Sequence, residues 1–167
     1  MLHEDPPPGL GKTDQVVQLM EQDSTVFDEV FVVLLQESPT VKTRAANALE
    51  KVARLHPTWL QPHRQSLLAH LPELSHPFSV KMAAAGLLGH AAWSDEDVST
   101  VITTLQQWLQ DTNTFVKVNC LQALTQIAQC RPWLAPEVIG LVENEMAKGK
   151  SAIQARGRRL LKQLRAM

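Results

Sequence analysis

Apolar residues recur at helical spacing in four segments of the chain, and these four segments repeat one another. They begin at Val41, Val80, Val116 and Ile153, which lie 39, 36 and 37 residues apart. Each segment places apolar or small residues at offsets 0, 4, 7, 8 and 11, which form one stripe along an α helix. The residue at offset four is small in every copy: Ala45, Ala84, Cys120 and Gly157. This restriction predicts that a neighbouring helix backbone passes close to that position.

Each of the first three segments is followed by a second apolar run at helical spacing, which predicts a pair of antiparallel helices. Proline marks two of the joints, "HPTWLQP" at 56–62 and "RPWLAP" at 131–136. The first proline of each joint ends a helix because it cannot continue the hydrogen-bond ladder, and the second begins the return helix. Trp59, Trp93 and Trp133 stand at the three elbows and are interpreted as structural.

The pattern predicts an all-α protein that forms a right-handed α-α superhelix of about nine helices. We expect a single solenoid domain over 13–167, in which the second helices line a shallow concave surface. The helix pairs are predicted at about 13–37, 38–72, 77–110 and 113–147, with a terminal helix at 151–165. Residues 1–12 are acidic and rich in proline, which predicts a flexible N-terminal tail.

Three segments carry a resemblance to a known class of repeats: "VKTRAANALEKVARLHPTWLQP", "FVKVNCLQALTQIAQ" and "SAIQARGRRLLKQL". They resemble parts of HEAT/armadillo-like repeat proteins from prokaryotes that carry no firm function, and the likeness covers roughly residues 38–165. The resemblance implies a scaffold that binds a protein or peptide partner on an extended surface. Tetratricopeptide repeats are the alternative class, but their 34-residue spacing and Trp/Gly/Tyr pattern are missing.

Sequence motifs for catalysis are absent. The chain has no Gly-rich phosphate loop, no G-x-S-x-G elbow and no H-E-x-x-H pair, so we expect no enzyme activity, catalytic residue, metal or cofactor. Asp95, Glu96 and Asp97 begin a predicted helix, where carboxylates serve as caps more readily than as a cation site. Cys120 and Cys130 lie ten residues apart on one predicted helix, so ~15 Å separates their backbones, too far for a disulfide.

The candidate partner-binding residues lie on the second helices: His63, Arg64, His70, Gln107, Trp108 and Glu143. His63 and His70 are two helical turns apart, about 10 Å, which is too far for them to share one metal ion unaided. Trp108 has two interpretations, a core residue, which we favour, or an exposed aromatic anchor for a partner.

Charge is distributed unevenly, although the net charge is only -1. Residues 1–37 carry eight acids and one lysine, whereas residues 146–167 carry seven bases and no acid. The candidate basic patch comprises Lys148, Lys150, Arg158, Arg159, Lys162 and Arg165. Three interpretations of it remain open: a solvated helix end, a docking patch for an acidic partner such as another copy's acidic end, or a nucleic-acid contact.

The leading functional prediction is a non-enzymatic scaffold for an unknown protein or peptide, present as a monomer or weakly self-associated through its acidic and basic ends. The alternative is a nucleic-acid-binding helical-repeat protein, including a glycosylase-like DNA repair domain, that uses the basic C-terminal helix. Residues 1–145 carry nine bases and seventeen acids, which disfavours that alternative. The sequence shows neither a secretion signal nor an apolar run of ~20 residues, so we expect a cytoplasmic protein without membrane contact.

Overall fold

The computed structural model describes residues 12–36 and 38–167, and this part of the chain contains helices and no strand. Its ten α helices are α1 (Lys12–Gln22), α2 (Thr25–Gln36), α3 (Pro39–Leu55), α4 (Arg64–Ala69), α5 (Leu71–Leu74), α6 (Phe78–His90), α7 (Asp95–Trp108), α8 (Thr114–Cys130), α9 (Ala135–Lys148) and α10 (Ser151–Arg165). Two 3₁₀ helices span Pro57–His63 and Pro132–Leu134. The all-α prediction is confirmed. Of the predicted tail, only Lys12 lies within the described residues, and it begins α1.

The helices form two layers. The first helices of the repeats, α3, α6, α8 and α10, pack side by side in chain order. The second helices cover one side of this row, since α7 packs on α8, and α9 packs on both α8 and α10. At the N-terminal end, α1 and α2 both pack against α3. The helices are therefore stacked in chain order, as the repeat predicted, although α7 packs on α8 of the following segment more than on α6.

The small residues at offset four lie inside the stack, as the repeat predicted. Ala45 is 6% exposed, Ala84 1% and Cys120 0%, and Gly157 is buried as well. Burial raises the pKa of the Cys120 thiol to about 12, because the thiolate would be poorly solvated there. One residue of the predicted stripe departs from it: Val41 is exposed and lines an apolar cavity between α1, α2 and α3.

The second helix predicted within residues 38–72 is divided, so the described part of the chain has ten α helices where we expected about nine helices. A 3₁₀ helix over Pro57–His63 leads into two short helices, α4 and α5. Pro62 lies inside the 3₁₀ helix and Pro72 in the first turn of α5. Neither proline has an N–H to donate, which interrupts the α-helical ladder at both places.

The three elbow tryptophans differ in environment. Trp93 is 5% exposed, and its indole Nε1–H donates to the carbonyl of Leu88 at 2.7 Å. Trp59 is half-buried and stacks on His56, with ring centroids 4.3 Å apart. Trp133 is 70% exposed. The structural interpretation of Trp133 is therefore wrong, because its neighbour Leu134, 4% exposed, is the side chain that enters the elbow.

Two first helices, α6 and α8, approach each other closely at Gly89 of α6. A Cβ at this position would stand 2.7 Å from Cα of Ala123 in α8, which is backbone and cannot easily move. We expect Gly89→Ala to lower the free energy of unfolding by about 1–2 kcal/mol, because overpacking outweighs the ~1 kcal/mol gain in helix propensity. Urea denaturation followed by circular dichroism measures the change.

Gly140 in α9 provides the matched control, since nothing lies within 4 Å of a Cβ built there. Gly140→Ala should raise the free energy of unfolding by about 0.5–1 kcal/mol through helix propensity alone. If both substitutions stabilised the chain, the close packing of α6 on α8 at Gly89 would be contradicted.

Candidate binding groove

A polar groove of about 260 Å³ crosses the row of first helices. Four helices line it: α3 contributes Glu50 and Arg54, α6 Gly86 and His90, α8 Asn119, Gln122 and Gln126, and α10 Arg156. The small residues of the repeat allow the first helices to approach closely, so polar side chains next to the buried stripe come together across helix boundaries. The groove therefore extends over several repeats, although each helix supplies only one to three residues.

The register of the repeat explains why these residues share one surface. Asn119, Gln122 and Gln126 occupy offsets 3, 6 and 10 of the third copy. At ~100° per residue, these offsets lie roughly 110° from the centre of the buried stripe. Arg156 occupies offset 3 and His90 offset 10 of their own copies, so the same face of successive helices is polar. A comparison of polar offsets between the copies would have found the α8 and α10 residues of the groove, but not Glu50 and Arg54, which occupy offsets 9 and 13 of the first copy.

A hydrogen-bond network joins α3, α6 and α8 at one side of the groove. Nη2 of Arg54 lies 2.9 Å from both carboxylate oxygens of Glu50. Nε2 of His90 lies 3.0 Å from Oε1 of Glu50, and its Nδ1 lies 3.4 Å from Nε2 of Gln126. With a proton on Nε2, the imidazole donates to Glu50, and its Nδ1 accepts from the amide of Gln126.

Glu50 is ionised within this network. Burial by itself raises the pKa of its carboxyl, but hydrogen bonds from His90 and Arg54, together with the charge of Arg54, hold the pKa below the usual value. The side chain of Glu50 packs directly on Gly86 of α6, where a Cβ would stand 2.6 Å from Cγ of Glu50. On the far side of the groove, Nη1 of Arg156 donates to Oε1 of Gln122 at 2.9 Å. The groove thus presents amide and guanidinium donors along its length.

Acid-dependent unfolding follows from such paired carboxylates. Glu145, 3% exposed, resembles Glu50: burial raises the pKa of its carboxyl, but hydrogen bonds from Lys117 and Lys148 outweigh this and lower it. A group whose pKa is lower in the folded than in the unfolded chain stabilises the fold above its unfolded pKa, here near 4.5. This stabilisation disappears as the pH falls through the folded pKa.

We therefore expect the free energy of unfolding to decrease as the pH is lowered from about 5, and to decrease less in Glu50→Gln. Urea denaturation at a series of pH values measures both profiles. Glu29→Gln, at an exposed position of α2, is the control and should keep the wild-type profile. A Glu50→Gln profile parallel to that of the wild type would contradict the role of the Arg54 and His90 contacts.

The predicted partner residues within 38–72 make polar contacts inside the fold. His63 has a side chain only 15% exposed; it contacts Asp28 and stacks on Phe31 with ring centroids 4.2 Å apart. The guanidinium of Arg64 donates to the carbonyl of Ala92 in the next joint. His70 is half-buried, and its Nδ1 lies 2.8 Å from the Ser66 carbonyl oxygen. Their polar groups are thus engaged in contacts within the chain.

The remaining candidates lie away from the groove. Trp108 is 6% exposed, which places it in the core and excludes it as an exposed anchor. Gln107 is exposed and lines a shallow depression of about 350 Å³ on α7. Glu143 is exposed on α9 and accepts from Arg165. The groove that spans several repeats lies on the first helices, which pack closely with one another, and the concave surface expected on the second helices stays a prediction.

The basic residues at the C-terminal end do not form one uniform patch. Arg158, Arg159 and Lys162 are exposed on α10, opposite its buried stripe, as expected, and Lys150 is exposed just before it. Two other bases have acidic partners: Lys148 Nζ lies 3.0 Å from Oε1 of Glu145, and Arg165 pairs with Glu143.

Two acids of the acidic end also have partners within the fold. Asp14 pairs with Lys51 at 3.0 Å, and Asp28 contacts His63. Glu4, Asp5 and Glu37, which also belong to the predicted acidic end, lie outside the described residues.

The acidic run at 95–97 serves as a helix start. Ser94 Oγ accepts from the backbone N–H of Asp97 at 3.1 Å, and Asp95 accepts from Nη2 of Arg131 at 3.0 Å.

Within 12–36 and 38–167, no cluster of three or more His, Cys, Asp or Glu side chains is placed to hold a metal ion. None of the helices in this part of the chain has the length and apolar character required to span a membrane.

Comparison with known proteins gives one match. The family model described as HEAT repeat matches residues 101–131, which cover the C-terminal part of α7 and all of α8. No curated protein and no solved structure matches the chain. The match falls within the region where the repeat was predicted from the sequence. It joins α7 to α8, which pack on each other, whereas the predicted pairs joined α7 to the helix before it and α8 to the helix after it. HEAT repeats commonly mediate protein interactions.

Proposed function

We propose that this HEAT-like helical repeat protein is a non-enzymatic scaffold that binds an extended segment of a partner protein in the groove across its first helices. The observation that carries the proposal is the set of amide and guanidinium groups that α3, α8 and α10 bring to one surface, to which α6 adds Gly86 and His90. Stacked repeats make extended binding surfaces of this kind, because each repeat adds one set of side chains to a continuous face.

The chemistry of the groove suits an extended peptide. Side-chain amides such as those of Asn119 and Gln126 carry both a donor and an acceptor, which match the N–H and C=O groups of a peptide backbone. Neighbouring packed helices lie about 8–10 Å apart, so the span from α3 to α10 is roughly 24–30 Å between axes. An extended chain advances ~3.3 Å per residue, so about seven to nine residues span the four helices, and the cavity of about 260 Å³ takes only part of that segment.

The charged pair in the groove supports binding rather than catalysis. Glu50 accepts from both Arg54 and His90, and His90 is bonded on both ring nitrogens. A general base needs a lone pair free to take a proton from a substrate. We assign Glu50 and His90 to holding the groove wall in place.

The proposal predicts that groove substitutions weaken peptide binding. Peptides of about twelve residues, long enough to cross the groove, are selected from a random phage-displayed library on the full chain. Their affinities are measured by fluorescence anisotropy. We expect the double variant Asn119→Ala/Gln126→Ala to bind about thirtyfold more weakly, since two lost hydrogen bonds at ~1 kcal/mol each amount to ~2 kcal/mol. Circular dichroism melts establish that the variant is folded.

The control is Thr103→Ala/Gln107→Ala, which changes the exposed depression on α7. It should bind the selected peptides as the wild type does. If this control lost affinity while the groove variant kept it, the second-helix surface would be the binding site instead. Failure to select any peptide on the wild-type chain would overturn the proposed function.

A further inference from the structure

We propose that the groove selects acidic peptides, whose Asp or Glu carboxylates bind the guanidinium groups of Arg156 and Arg54. This inference rests on the proposed function and names the chemical class of the partner segment. It follows from the hydrogen-bonding capacity and the charge of the residues that line the groove.

The groove has more donors than acceptors. A guanidinium carries five N–H donors and no acceptor. Arg156 uses Nη1 on Gln122, and Arg54 uses Nη2 on Glu50, so both retain N–H groups for a ligand. The oxygen of Gln122 is already occupied by Arg156, and the carboxylate of Glu50 already accepts from Arg54 and His90. A ligand rich in acceptors fits this surplus.

The residues that line the groove carry a net positive charge, which agrees with their surplus of hydrogen-bond donors. Its lining contains two arginines and a single carboxylate, whereas the whole chain carries a net charge of -1. Arg159 follows Arg156 by one turn of α10 and is exposed, which extends the positive surface. The positive excess is therefore local to this end of the first-helix face, where it would attract a negatively charged segment.

The geometry of a carboxylate favours this pairing. Arginine binds a carboxylate through two parallel N–H···O bonds, and such charge-assisted bonds are roughly twice as strong as neutral ones. Arg156 is half-buried, which reduces the screening of its charge by water. Arg54 and Arg156 lie on the two outer helices of the groove, so two acidic residues of one peptide can reach them when at most about eight residues separate them.

The lining favours a peptide over a nucleic acid. Single-stranded nucleic acids are held by stacking of bases on aromatic rings along a positive groove. The lining residues include no Phe, Tyr or Trp, and the imidazole of His90 is fixed by hydrogen bonds at its edge. The amides of Asn119 and Gln126 instead match the peptide backbone between the two arginines.

The inference is tested by the composition of the peptides that the full chain selects from the random library. We expect Asp and Glu to be enriched about threefold over the unselected library on the wild type, and not enriched on Arg54→Gln/Arg156→Gln. Arg158→Gln is the control, since Arg158 is exposed on α10 but does not line the groove. This variant should retain the enrichment.

A second measurement uses one selected peptide and its counterpart in which every Asp and Glu is replaced by Asn and Gln. On the wild type the amide counterpart should bind about tenfold more weakly, as expected for charge-assisted bonds. On Arg54→Gln/Arg156→Gln the two peptides should bind equally. Melting of the double variant near the wild-type temperature shows that a loss of binding does not come from unfolding.

The outcomes separate this inference from the proposed function. The acidic preference would be overturned if the selected peptides were not enriched in Asp and Glu, or if the enrichment survived Arg54→Gln/Arg156→Gln. In either case the scaffold function would still be supported if the groove variant Asn119→Ala/Gln126→Ala lost affinity. Absence of any selected peptide would overturn both. If a thymidine oligonucleotide displaced the selected peptide and bound with the same affinity, the assignment of a peptide as the partner would be overturned.

Discussion

We expect Trp93→Ala to lower the free energy of unfolding by about 3–5 kcal/mol, the largest effect of any substitution considered for this chain. The indole is 5% exposed between α6 and α7, so its removal leaves a cavity at the elbow. Its Nε1–H also donates to the Leu88 carbonyl at 2.7 Å, which is one of the last carbonyls of α6 without a partner in the helix. Urea denaturation measured by circular dichroism gives the change.

Trp133→Ala is the matched control, since Trp133 occupies the corresponding elbow one repeat later. Its side chain is 70% exposed, and substitutions of such surface residues usually change stability by no more than ±0.5 kcal/mol. A loss at Trp133 as large as that at Trp93 would mean that both rings are buried, contrary to the structure. The same two variants also separate a structural tryptophan from one that a partner can reach.

The stack of helices could be predicted from the sequence because burial imposes a strict pattern on helical residues. Every first helix must bury a stripe against its neighbours, and the closest contact tolerates only small side chains, as at Ala84 and Cys120. The helix bounds followed from proline, glycine and capping residues, which act locally. Each of these constraints determines residues within a single segment, so one sequence was sufficient to predict the helices.

The groove was missed because it depends on contacts between segments. Glu50 and His90 lie 40 residues apart, and neither shows by itself that the two side chains meet. The predicted site residues were chosen on the second helices for their polarity, but His63 and Arg64 are polar because they bridge joints of the fold. Likewise, Trp133 and Trp93 share an elbow position, and only the local turn decides which ring is buried.

Ala84→Leu should lower the free energy of unfolding by about 1–3 kcal/mol through overpacking. Ala84 is 1% exposed in α6, which packs between α3 and α8. Its neighbours Ala83, Ala85 and Gly86 are buried too, so a longer side chain has no open direction and must push one first helix away. Because a solenoid is stabilised by the interfaces between successive repeats, the damage is expected to reach beyond α6.

Ala155→Leu is the matched control, because Ala155 is exposed on the first helix α10. Alanine and leucine are both strong helix formers, so this variant should stay within ±0.5 kcal/mol of the wild type. In Ala84→Leu the midpoint of urea denaturation should fall with an unchanged slope, as for a loss of stability without a change in the exposed surface. Equal stability of Ala84→Leu and Ala155→Leu would show that offset four does not face a neighbouring repeat, and the assigned register of the stack would be wrong.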